Sequence, residues 1–110
     1  MKKLTTFGLD NLVDILKAAA EPTRLRLLAL LAEGDLTVSD LTEILGQSQP
    51  RISRHLKLLA EAGIVDRYQE GAWAYFGFRR DASAAALART ILAATAPGDS
   101  VLQRDGERLA

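Results

Sequence analysis

The chain has no cysteine and a single histidine among its 110 residues. Without thiols there is no disulfide framework and no thiolate metal site. One imidazole also falls short of the three or four side-chain ligands that a zinc site uses, so no metal site is expected. Aromatic residues make up only 5%, and net charge is zero, with fourteen basic residues against fourteen acidic. That balance excludes a chain-wide attraction to polyanions and leaves room only for a local one. No apolar run approaches the length of a membrane span, and "MKKLTTFGLDNL" lacks the apolar core of a secretion signal. The expected setting is the cytoplasm, with no membrane partner. There is no glycine-rich nucleotide loop and no catalytic set of cysteine, paired histidines or metal ligands. No enzyme and no cofactor are expected.

What the chain does have is a globular composition, 48% hydrophobic and 25% charged, at a length suited to one domain. Its charge is unevenly placed. In "SQPRISRHLKLLAEAGIV", residues 48–65, Arg51, Arg54 and Lys57 occur with the one histidine, His55, and no acid until Glu61. A solvated helix face would have this composition, and so would a surface built to meet phosphate.

Hydrophobic spacing supplies the framework. Leu9, Leu12, Val13 and Leu16 fall on one face of a first helix that Pro22 stops near Ala20. Pro22 also suits the first turn of a second helix, "PTRLRLLALLAEG", leucine-rich on most sides and therefore expected to be central. "LTVSDLTEILGQ" reads as a short third helix, with Thr37 and Asp40 as a capping box and Gly46 in the left-handed position after it. Ser48 is a second N-cap and Pro50 falls in the first turn of a fourth helix. Two short helices joined by a glycine turn form a helix-turn-helix. In the fourth helix Ile52, Leu56 and Leu59 share one face. Ser53, Arg54 and Lys57 project from the other side, with Gln49 and Arg51 at the exposed first turn.

The period then shifts. "IVDRYQ" and "WAYFGF" flank "EGA" and read as a β-hairpin. "DASAAALARTILAATA" is a fifth helix that Pro97 and Gly98 stop. The expected fold is mainly α with a β-hairpin wing, a winged helix-turn-helix of order ααααββα. Residues 1–97 are expected to form this domain, a candidate for DNA binding and dimerisation, and 98–110 a weakly helical tail, interrupted by Gly106. A helix of this kind fits the major groove, about 12 Å wide, while the hairpin reaches neighbouring backbone or the minor groove. Cations on its outer face would neutralise phosphates or meet guanine edges.

The stretch from "EPTRLRLL" through "SQPRISRHLKLLAEAGIV" to the "EG" before the second strand resembles the DNA-binding core of the ArsR/SmtB family of bacterial repressors. The likeness spans residues 10–95. It implies a sequence-specific transcriptional repressor, a homodimer joined by its first and last helices. Such a repressor binds a short palindromic operator in double-stranded DNA and releases it on a signal. By position, Gln49, Arg51, Ser53 and Arg54 match the family's base- and backbone-contacting residues, and Ser48 the N-cap, where a phosphate is also favoured. Thr37 and Ser39 stand where founding members carry a "CxC" metal motif, and Asp81 and Ser83 where others carry "DxH". Hydroxyls do not replace thiolates for soft metals, so the resemblance implies a regulator that senses something other than metal, an unknown small-molecule inducer, or that senses nothing by itself. Ala72 replaces the arginine or lysine frequent at the wing tip, leaving Arg67 and Gln69 as the wing's candidates for DNA. A looser similarity, to longer proteins of this type fused to a methyltransferase domain, gives a second reading. In it the chain is a DNA-binding or protein-docking module cut from a larger regulator, and its tail begins a linker.

Other residues have plainer readings. His55 lies beside the core face and is expected to be packed or hydrogen-bonded rather than a ligand. Trp73, Tyr75 and Phe76 are expected to pack the wing onto the domain rather than to stack on single-stranded nucleic acid. The small side chains of the alanine-rich fifth helix suit close approach at a dimer interface.

Overall fold

Pro22 divides two helices, as its sequence context predicts. In the computed structural model, which describes residues 6–80 and 82–109, α1 (Leu9–Ala19) ends at Ala20 and α2 (Pro22–Leu31) follows. Glu21 caps α2, its Oε1 accepting from the Arg24 amide at 2.8 Å. Proline at the first helical position lacks an N–H that would have had no helical partner. Leu27, Leu28, Leu30 and Leu31 are buried, so α2 forms the centre of the core. Each such side chain contributes roughly 1.5–3 kcal/mol relative to exposure.

A two-residue strand, β1 (Leu36–Thr37), comes next and has no counterpart in the sequence reading. Two residues are too few to display a period of two. β1 joins the wing strands β2 (Val65–Glu70) and β3 (Trp73–Phe78) in an antiparallel sheet of order β1-β3-β2. Leu36 lies opposite Phe76, and Thr37 opposite Tyr75.

Helix α3 (Val38–Leu45) starts with the expected capping box: Thr37 Oγ1 accepts from the Asp40 amide at 3.1 Å, and Asp40 Oδ2 from the Thr37 amide at 3.2 Å. It ends at Gly46, whose φ of 67° is the left-handed conformation that glycine adopts without strain. Ser48 then caps α4 (Gln49–Glu61), its Oγ accepting from the Arg51 amide at 3.4 Å. Ile52, Leu56 and Leu59 are fully buried and seat α4 on the core.

Glu70 pairs with Trp73, so the hairpin turn is Gly71-Ala72. Helix α5 (Ser83–Leu92) stops before Pro97 because residues 93–96 are exposed and no packing extends it. Ala85 and Ala88 are buried within the chain's own core.

The expected tail needs correction. Residues Ser100–Leu109 form a sixth helix, α6, which runs through Gly106 and packs on α2 and α3. Asp99 starts it, its Oδ1 accepting from the amides of Val101 and Leu102 at 3.0 and 3.1 Å. Asp105, 1% exposed, accepts from Arg26 of α2 through two bonds, at 2.8 and 3.0 Å, and Arg108 Nη1 donates to the Ile44 carbonyl at 3.0 Å. These contacts offset the helix cost of one glycine, about 1 kcal/mol.

Helix α1 turns Ile15, Ala18 and Ala19 inward. The stripe that its spacing singled out faces outward, with Leu9, Val13 and Leu16 exposed by 77%, 37% and 46%.

Candidate nucleic-acid interface

The first turn of α4 presents Ser48, Gln49, Pro50 and Arg51 to solvent, and Arg54 and Lys57 continue that exposed face over two further turns. Ser53, half-buried, accepts at Oγ from Gln49 Nε2 at 2.7 Å, so two polar residues one turn apart form a joined plate. Among the described residues no acid pairs with Arg51, Arg54 or Lys57. An exposed helix face usually intersperses charges of both signs. Among the described residues these three cations have no acidic partner, and the first of them, Arg51, lies in the N-terminal turn, where the peptide dipoles also favour an anion.

The motif "EPTRLRLL" fixes this face from behind, a role that reading it as a family signature did not show. Glu21 caps α2. Thr23 Oγ1 accepts from Gln47 Nε2 at 3.1 Å and ties the helix-turn-helix bend to α2. Arg24 Nε donates to the Ala18 carbonyl at 2.6 Å, and its Nη1 lies 3.1 Å from His55 Nδ1. His55 is thus half-buried and hydrogen-bonded, as its place beside the core face predicts. Burial lowers its pKa below the ordinary imidazole range. Arg24, Arg51 and Arg54 act in the same direction, while Glu21 opposes them.

In the wing, strand pairing sorts the side chains onto two faces. Val65, Arg67, Gln69, Ala74, Phe76 and Phe78 share the face whose base packs into the core, where β2 meets α4. Asp66, Tyr68, Glu70, Trp73 and Tyr75 share the other. Arg67 and Gln69 are exposed on a face without acids, and the three acidic or phenolic side chains of β2 point the opposite way. Trp73 departs from expectation. Phe76 is buried and Tyr75 half-buried, but Trp73 is 60% exposed, because its position beside the turn lies beyond the reach of the core.

The Thr37 hydroxyl is committed to the capping box and Ser39 lies exposed next to it. Asp81 lies outside the described residues. Among those described, no three His, Cys, Asp or Glu side chains converge as a metal site, and no helix is long and apolar enough to cross a membrane.

Residues 21–67, from the cap of α2 to the start of the wing, match the family described as bacterial regulatory protein, arsR family. The chain is 45% identical over 65 residues to the arsenical resistance operon repressor of Escherichia coli, a match covering 58% of this chain and 56% of that protein. It is 43% identical over 68 residues to an HTH-type transcriptional regulator of Methanocaldococcus jannaschii, covering 61% of this chain and 76% of the other. Among solved structures, the homodimeric winged helix-turn-helix DNA-binding domain Mb0332 from Mycobacterium bovis superposes with a TM-score of 0.69 at 29% identity, covering 78% of this chain and 80% of that one. The chain spans about half the length of several curated relatives that it matches.

Proposed function

The chain belongs to the ArsR family of bacterial regulatory proteins, and on that premise we propose that it is a transcriptional repressor that binds double-stranded DNA as a homodimer. The observation that carries this reading is the cationic face of α4, without an acidic partner among the described residues and held at a fixed attitude by Ile52, Leu56, Leu59 and the Arg24–His55 contact. In this reading α4 enters the major groove. Gln49, Ser53 and Arg54 face base edges, Arg51 and Lys57 face phosphate, and Ser48 offers its helix terminus to a further phosphate. Arg67 and Gln69 follow the backbone beside it. Two copies related by a two-fold axis would then read the two halves of a palindromic operator.

The exposed leucine and valine stripe of α1 supports the dimer, since a contiguous apolar strip on a small domain marks an interaction surface. The buried alanines of α5 serve the chain's own core, so α1 supplies the apolar contact. The Mycobacterium bovis neighbour is described as homodimeric, which fits. The cytoplasm is the setting such a regulator requires. Its inducer is a small molecule rather than a soft metal bound at Thr37 and Ser39, because one of those hydroxyls is already spent on a helix cap and neither is a thiolate.

A gel-shift titration on genomic fragments at increasing salt tests this function. Steep weakening with salt, together with retention of a subset of fragments, is the expected result. No binding at low salt would overturn it in favour of a protein-docking module.

A further inference from the structure

Asp35 lies in the connection between α2 and β1, yet its carboxylate reaches across the central strand of the sheet. Its Oδ2 accepts from the Tyr68 hydroxyl of β2 at 2.7 Å. Beneath that bond is Gly77 of β3, and a Cβ at Gly77 would collide with the Asp35 carboxylate. Gly77 is not among the positive-φ glycines, so its backbone does not require glycine. The requirement is space: the position is open so that Asp35 can pass over β3. Tyr68 is held a second time by stacking on Tyr75, with ring centroids 5.6 Å apart and planes inclined at 18°. The bond to Asp35 and the nearby carboxylate raise the Tyr68 pKa to about 12, so the phenol keeps its donor proton throughout the range in which proteins fold.

β1 pairs only with Tyr75 and Phe76 of β3, so towards the turn β2 and β3 run on as a two-stranded hairpin, which is marginally stable by itself. Here a side chain from the helical body grips the far strand at mid-length. Arg67 and Gln69 flank Tyr68 in sequence and, by the alternation of a strand, project from the opposite face. Whatever sets the height and tilt of Tyr68 also sets theirs. We infer that Asp35, Tyr68 and Gly77 form a latch that fixes the pitch of the wing against α4, making them positioning residues for the DNA contacts of Arg67 and Gln69. The inference rests on the DNA-binding function proposed above.

The test uses the full chain and the duplex that the wild-type chain enriches from random-sequence DNA. Tyr68→Phe removes the donor alone, and operator affinity should fall about fivefold, the scale of one net hydrogen bond. In an Arg67→Ala background the same change should cost clearly less, because only the Gln69 contact remains to be positioned. In a Lys57→Ala background the fivefold loss should remain in full. Asp35→Asn keeps a carbonyl acceptor and should stay near wild type, whereas Asp35→Ala and Gly77→Ala should reproduce Tyr68→Phe. A merely structural bond would lower the melting temperature and produce no selective coupling to Arg67. If Tyr68→Phe does not fold, the Asp35→Ala and Asp35→Asn pair carries the same comparison. Unchanged affinity in the folded variants, or equal losses in the Arg67→Ala and Lys57→Ala backgrounds, overturns the latch while leaving DNA binding intact. Failure of the wild-type chain to enrich any duplex overturns the DNA function, and the latch with it.

Discussion

Arg24 and His55 meet at 3.1 Å, guanidinium Nη1 to imidazole Nδ1. A guanidinium carries donors only, so Nδ1 must be the acceptor, which leaves His55 neutral with its proton on Nε2. The same Arg24 side chain donates to the carbonyls of Ala18 and Lys17 at the end of α1, at 2.6 and 3.4 Å. One side chain therefore ties the outward-facing helix α1, the core helix α2 and the cationic helix α4 together.

Protonating His55 would remove the acceptor and place two cations in contact. Its pKa is lowered by burial first and by Arg24, Arg51 and Arg54 after that, against the pull of Glu21. The sign follows. Between the lowered folded value and the unfolded value near 6.5, the unfolded chain binds more protons, so stability rises with pH across that window. It is fully present above about 6.5 and lost as pH falls towards the folded value. Thermal unfolding of wild type and His55→Gln, followed from pH 7.5 downward, should show a His55-dependent loss of stability that the variant lacks. Parallel curves would mean that the fold does not hold the imidazole neutral.

The Arg26–Asp105 pair should respond asymmetrically to truncation. Asp105 has a side chain only 2% exposed, whereas that of Arg26 is 20% exposed and can reach water. The bond to Asp105 raises the Arg26 pKa, with burial opposing it, so the guanidinium stays charged. Arg26→Ala strands a buried carboxylate and should cost roughly 3–5 kcal/mol. Asp105→Ala leaves a cation that can turn outward and should cost less. Urea denaturation at neutral pH reads both, and equal losses would contradict the burial difference.

Sequence and structure agree where periodicity is long. The stripes of α2 and α4, the capping box at Thr37, the turn at Gly46 and the hairpin are all legible, because each depends on residues within a few positions of one another. The exposed positions of α4 are legible for the same reason. Contacts between distant segments are not. Nothing local pairs Asp35 with Tyr68 or Arg26 with Asp105, 33 and 79 residues apart. Gly106 reads as a break by propensity, and only the packing of α6 on α2 and α3 overrides it. Trp73 reads as core by its residue type and is exposed by its place beside the turn.

The α1 stripe should set the oligomeric state. Leu16→Glu places a charge on the exposed apolar face while Ile15, Ala18 and Ala19 keep their own packing. The fold should survive, since exposed-face substitutions usually stay within about 0.5 kcal/mol. Light scattering at micromolar concentration should give twice the 11.9 kDa chain mass for the wild type and the single mass for the variant. Operator affinity should fall along with the dimer, because one domain buries too little surface to hold an operator alone. A wild-type chain of 11.9 kDa at that concentration would remove the two-half-site arrangement.

Arg54 and Lys57 should separate base reading from backbone holding. Both are exposed and free of acidic partners among the described residues, and both lie opposite the buried Ile52, Leu56 and Leu59. Arg54 directly follows Ser53 and lies about one turn past Gln49, near the N-terminal end of the helix, where a helix end goes deepest into the groove. Its planar fork can meet two acceptors on one guanine, so Arg54→Ala should cost about 1–3 kcal/mol and relax preference at one base pair in each half-site. Lys57 comes a further turn along, where the groove wall brings phosphate closer than base. As a point charge it would hold backbone without reading it. Lys57→Ala should therefore weaken every sequence alike and lower the salt slope by about one per subunit. Binding-site selection and salt titration on the same two variants distinguish these effects. An Arg54→Ala chain that stays folded and keeps both affinity and base preference would show that α4 is not the element placed in the groove.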